Sequence, residues 1–117
     1  MDAESDPTQT DVLSISTSRQ GTRAVVELAG ELDLHGSGRL TAAVQQVLDD
    51  EPTAARVERL ELDAGGLTFA DSAGLRAVLI AQSETQSSGA TFVVTAVSPP
   101  VQRMIEMAGL GDLLLPG

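Results

Sequence analysis

Cysteine, lysine, tryptophan and tyrosine are absent from the sequence, and Phe69 and Phe92 are its only aromatic rings. Each absence removes a class of chemistry. Without cysteine there are no disulfides and no thiolate nucleophiles or ligands, and a reducing cytoplasm is the simplest setting. So few aromatics leave no stacking platform for single-stranded nucleic acid or a planar cofactor, and no cofactor is expected. Without lysine there is no Gly-Lys-Ser/Thr, so Gly65-Gly66 does not belong to a P-loop. No apolar run approaches transmembrane length, and Met1 to Asp11 is acidic and polar. Neither membrane insertion nor a secretory signal is therefore expected.

What the chain does have is negative charge. Seventeen acidic residues against seven basic ones give a formal net charge of −10, which repels nucleic-acid phosphates and argues against direct DNA or RNA binding. All seven basic residues are arginine, which we read as compositional bias. A length of 117 residues suits one domain with one hydrophobic core.

Residues 1–11 carry Asp2, Glu4, Asp6, Pro7 and Asp11 without periodicity and read as a disordered leader, with the domain spanning 12–117. Val12 to Thr17 and Arg23 to Ala29 alternate as strands about an Arg19-Gln20-Gly21-Thr22 turn. From Ser37 the period changes, and Leu40, Ala43, Val44, Val47 and Leu48 form a helical stripe entered through a Ser-Gly cap and ended by Asp49-Asp50-Glu51-Pro52. Val57 to Asp63 alternates again, with Leu60 and Leu62 inward, and Gly65-Gly66 reads as a loop. A second helix runs from about Ser72 to Ser87 with Leu75, Val78, Leu79 and Gln82 in its stripe and Gly89 as its stop. Thr91 to Val97 is a nearly continuous β-branched run, suited to a central strand. Ser98-Pro99 then opens a third helix with Val101, Met104, Ile105 and Ala108 inward, Met107 outward and Gly109 closing it, before an apolar Leu113-Leu114-Leu115 end. The order β-β-α-β-α-β-α argues for an α/β domain whose helices cover a sheet through right-handed crossovers.

Two constellations bear on function. Phe69-Ala70-Asp71-Ser72-Ala73-Gly74-Leu75 follows a strand and begins a helix. Ser72 there is an N-cap, a nucleophile or a regulatory phosphosite, since a helix N-terminus tolerates added phosphate. The nucleophile reading is the weakest: Ala70 replaces the first glycine of a G-x-S-x-G elbow, and His35 precedes the serine. Glu31, Asp33 and His35 alternate, so on a strand they would share one face as metal ligands. Gly30 and Gly36 argue instead for a strand breaking into a loop, and three ligands would need a fourth, so no metal is expected.

Together with Gly30-Glu31-Leu32-Asp33-Leu34-His35 and Ala96-Val97-Ser98-Pro99-Pro100-Val101-Gln102-Arg103-Met104, this segment resembles the STAS domain family of the bacterial anti-sigma factor antagonist type, from about Val12 to Leu115. The resemblance implies a mixed four- to five-stranded sheet under about three helices and a non-enzymatic, cytoplasmic phosphoprotein, monomeric or weakly dimeric. It implies that the unphosphorylated domain binds an anti-sigma factor serine kinase, releasing a sigma factor in stress response or sporulation. Phosphorylation at Ser72 would end binding and a serine phosphatase would reset the switch. The partner-binding residues implied are Glu31, Asp33, Leu34, His35, Thr68, Phe69, Asp71, Ser72, Ala73, Gly74 and Arg76. An alternative is a constitutive adapter subunit of a signalling assembly or a membrane transport ATPase. Three departures stand out. Ala73 occupies a position where a second hydroxyl is common, Arg76 one where glycine or another small residue is common, and Gly117 falls where relatives often continue into a final helix.

Overall fold

The computed structural model describes residues 12–49 and 56–115, so the leader expected over 1–11 lies outside the described residues. Strands β1 (Leu13–Gln20) and β2 (Arg23–Leu32) form an antiparallel hairpin. Helix α1 (Leu34–Asp49) leads to β3 (Arg59–Ala70), α2 (Ser72–Ser87) to β4 (Thr91–Val97), and α3 (Pro99–Met107) and the short α4 (Gly111–Leu114) follow. The sheet order is β1-β2-β3-β4, with β3 parallel to both neighbours. Because β2, β3 and β4 are successive neighbours, two crossovers of the same hand lay α1 and α2 on the same face.

The burial pattern agrees with a two-layer arrangement. Ala24, Val26, Leu28 and Leu32 of β2 and Leu60, Leu62, Leu67 and Ala70 of β3 are buried under Leu40 and Val44 of α1, Leu75, Val78 and Ala81 of α2, Val101 and Ile105 of α3 and Leu114 of α4. The opposite face carries Ser14, Ser16, Glu27, Glu61 and Asp63, and there both Arg23 Nε (3.0 Å) and Arg59 Nε (2.8 Å) donate to Glu61 Oε2. No helix among the described residues is long and apolar enough to cross a membrane.

Several expectations from sequence are corrected. Gly65-Gly66 is not a loop, because β3 continues through it to Ala70. Two steps of β2, Glu27 to Ala29, face three of β3, Asp63 to Gly66, and one further step, Gly30 to Glu31, faces two, Leu67 to Phe69. Each mismatch is a β-bulge, and it replaces the alternating pattern by the buried positions Ala64, Leu67 and Ala70 with exposed pairs between them. The bulges explain why the alternation is lost after Asp63. The Asp63 carboxylate supports the first by accepting the Gly65 N–H at 2.9 Å.

Strand β4 is an edge of the sheet and not a central strand. Of its β-branched residues only Val94 is buried; Val93 and Val97 are half-buried, and Thr91 and Thr95 are exposed. Ser98 occupies the N-cap of α3, yet its buried hydroxyl makes no cap bond; Pro99 and Pro100 leave Val101 N–H as the one cap donor within reach. Ala108, expected inward, is the exposed C-cap residue of α3, while Met107 is exposed as expected.

Candidate functional site

Strands β2 and β3 end side by side, with Leu32 paired to Ala70, and each passes into a helix through a single aspartate. The same spacing recurs at both junctions: Asp33-Leu34-His35-Gly36 and Asp71-Ser72-Ala73-Gly74. Asp33 Oδ1 accepts from His35 N (3.0 Å) and Gly36 N (3.2 Å), and Asp71 Oδ1 accepts from Gly74 N (2.8 Å). Both aspartates thus satisfy helix-start donors that would otherwise lack partners. The glycine three residues later serves packing, since a Cβ on Gly36 would lie 2.7 Å from Leu13 Cδ2, and one on Gly74 2.9 Å from the Leu32 carbonyl carbon.

Two readings change here. The Gly30 to His35 segment is not a loop: β2 runs to Leu32, and α1 begins at Leu34, before the Ser37-Gly38 cap expected from sequence. Gly30 keeps the strand going with φ +96, a conformation most side chains avoid, while Glu31 N–H donates to Val12 O at 2.7 Å. Ser72 is not the N-cap; Asp71 holds that position and Ser72 is the first helical residue.

Asp71 also joins the two junctions. Its backbone N–H donates to Leu32 O (3.2 Å), and its Oδ2 accepts from Leu34 N (3.3 Å). Both carboxylate oxygens therefore face backbone N–H groups, leaving the Ser72 side exposed. Exposed apolar groups flank the serine: Leu34 at 67% and Phe69 at 45% relative exposure. Phe69 faces outward because of the second bulge and pairs with Glu31, while Thr68 Oγ1 donates to Gly30 O at 3.2 Å.

Glu31, Asp33, Leu34, Thr68, Phe69, Asp71 and Ser72 are thus gathered at the C-terminal ends of two parallel strands, where loop-borne function commonly sits in α/β sheets. Ala73 is half-buried, Gly74 is buried beneath it, and His35 and Arg76 are exposed on the first turns of their helices. Glu31, Asp33 and His35 do not share a strand face. They lie on β2, at the junction and on α1, with the Asp33 carboxylate engaged as a cap.

Sequence reasoning missed the shallow groove between α2 and the α3–α4 turn, lined by Leu34, Ser72, Ala73, Leu75, Arg76, Leu79, Ala108 and Leu110. A second groove, between α1 and α2, is lined in part by Leu34, Ser37, Thr41, Ala73, Arg76 and Ile80. The repeated Asp-x-x-Gly was the available signal for both junctions; nothing local pointed to Ala108 or Leu110.

A family model described as Mlab, STAS domain matches residues 15–116. The chain belongs to the STAS domain family. An anti-sigma F factor antagonist of Paenibacillus polymyxa is 34% identical over 90 residues, 77% of this chain and 74% of that protein. The anti-sigma-F factor antagonist RsfB of Mycobacterium tuberculosis is 31% identical over 100 residues, 86% of this chain and 77% of that protein. The structure of the anti-sigma factor antagonist SpoIIAA in its unphosphorylated form superposes with a TM-score of 0.70 at 22% identity, covering 89% of this chain and 88% of that one. At that identity the likeness establishes the fold, a mixed four-stranded STAS sheet with its helices in the order read from sequence. STAS antagonists are non-enzymatic regulatory proteins.

Proposed function

We propose that this STAS domain is an anti-sigma factor antagonist that works in the cytoplasm as a phosphoswitch. Unphosphorylated, it binds an anti-sigma factor serine kinase through the Glu31 to His35 junction, the Thr68 to Gly74 segment and the first turns of α2, and a sigma factor is released. The kinase transfers the γ-phosphoryl group of a nucleoside triphosphate to Ser72 Oγ. The bond to the nucleoside diphosphate breaks, the hydroxyl proton leaves to the kinase, and the complex dissociates. A serine phosphatase restores the free hydroxyl.

The observation that carries this reading is the exposure of Ser72 at the start of α2, between exposed Leu34 and Phe69, beside carboxylates held as caps. A surface of this kind accepts an apolar partner while the serine is neutral. Phosphate adds roughly −1.5 to −2 charges. Under a partner, at an effective dielectric of about 20, a unit like-charge pair about 5 Å apart costs on the order of 3 kcal/mol. That weakens affinity by about a hundredfold.

The test is treatment with the cognate kinase and ATP, followed by intact-mass and fragment analysis. One phosphate on Ser72, absent from Ser72→Ala, is expected. Ser72→Ala retains binding without regulation, and Ser72→Glu binds more weakly than the wild type. Phosphate at Thr68, Ser87 or Ser88 with Ser72 untouched refutes the switch, and stable partner binding with no phosphate anywhere indicates a constitutive adapter.

A further inference from the structure

The arginines divide by what they bind. Arg23 and Arg59 bond Glu61, and Arg19, Arg39 and Arg56 donate to the backbone carbonyls of Gly21, Leu13 and Ser88. Among the described residues, the guanidinium groups of Arg76 and of Arg103, which lies on α3, have no hydrogen-bond or ion-pair partner, and of the two only Arg76 shares a groove with Ser72. Arg76 stands on the ridge between the two grooves, bordering both.

We propose that Arg76 is the intramolecular acceptor of the Ser72 phosphate, a cation that faces the partner when the serine is free and folds back onto the phosphate when it is modified. The proposal rests on the reading of Ser72 as the modified residue. Four residues apart on α2, the two side chains are neighbours with Cβ atoms about 6 Å apart. Helical side chains lean toward the helix N-terminus, so the longer one points back toward the shorter. A guanidinium offers a planar fork of donors suited to phosphate oxygens.

The neighbouring carboxylates do not compete for it. Asp71 accepts from Gly74 N and Leu34 N, and Asp33 from His35 N and Gly36 N. A phosphate added beside these two aspartates meets repulsion, and Arg76 is the cation on the same helix turn that offsets it. Modification then alters the partner surface twice, adding negative charge at Ser72 and withdrawing positive charge from the ridge.

Phosphoserine can be installed at position 72 during synthesis by genetic encoding, which needs no kinase. Phosphorus NMR titrations of the full chain would compare the wild type with Arg76→Gln and Arg76→Lys. Glu31, Asp33, His35 and Asp71 are present in all three, so their influence cancels in the comparison. The second phosphate pKa is expected to lie roughly 0.3–0.7 unit lower in the wild type than in Arg76→Gln, the size of an exposed ion pair, with Arg76→Lys between them. The gap should shrink at about 1 M salt. Coincident titration curves overturn the clamp and leave the switch standing. A chain that the kinase does not modify at Ser72 overturns the switch and leaves the curves unchanged.

Discussion

Gly74→Ala should destabilise the domain even though alanine is the better helix former. In an unconstrained helix interior the change would gain about 0.8–1 kcal/mol. Here a Cβ would fall inside contact distance of the Leu32 carbonyl oxygen and 2.9 Å from both the carbonyl carbon and Cγ of Leu32. Leu32 cannot easily yield. It is fully buried, its strand is paired on both sides, and its carbonyl accepts the Asp71 N–H at 3.2 Å. Helix α2 must lift by about 1 Å, loosening Leu75, Ala77 and Val78, and forced overpacking of this kind costs typically 1–3 kcal/mol or more. The expected net loss is about 1–2 kcal/mol, or roughly 4–10 °C in Tm for a domain of this size. Gly38→Ala in α1 is the matched control: a Cβ there meets nothing within 4 Å, and the variant should gain about 0.5–1 kcal/mol. Urea unfolding of both variants with a common m-value reads the two signs directly. A Gly74→Ala protein as stable as wild type or more so would refute the close-approach argument.

The remaining expectations concern charge and interface. Glu61 is held below its usual 4.5 by hydrogen bonds from Arg23 and then Arg59. Its contribution is therefore full above the unfolded value and lost as pH falls through the folded one, so the stability gap between wild type and Glu61→Gln should be flat near neutrality and close in acid. Urea midpoints across that range check it, and a gap that persists at the lowest pH would contradict it. Leu34→Asp and Phe69→Asp should each weaken kinase binding at least tenfold by calorimetry while leaving Tm within a few degrees, because both side chains are exposed. Arg76→Gly should weaken kinase binding more than the roughly 1 kcal/mol it costs in helix propensity; a stability loss with affinity unchanged both with and without phosphate would refute a role for Arg76 in selecting the partner.

Much of this protein could be read directly along the chain. The helical spacing of Leu40, Val44, Leu75 and Val78, the alternation of Leu60 and Leu62, and the turn at Gly21 are local properties, and each leaves a periodic trace that survives folding. The Asp-Ser pair at the start of α2 was legible for the same reason, because a cap and the helix it begins are only a few residues apart. What tertiary structure decided is what depends on a neighbouring strand. Gly65-Gly66 became a bulge because β2 continues beside it and supplies pairing that sequence alone does not reveal. Thr91 to Val97 became an edge strand because strand order, not β-branched content, determines how many partners a strand has. Asp71 became the link between two helix starts because Leu34, 37 positions away, presents its N–H to the second carboxylate oxygen. Hydrophobic period encodes which face of an element is buried. Pairing, register and the meeting of distant helix ends arise only when the elements pack, and that packing brings Leu34, Phe69 and Ser72 to the same end of the sheet.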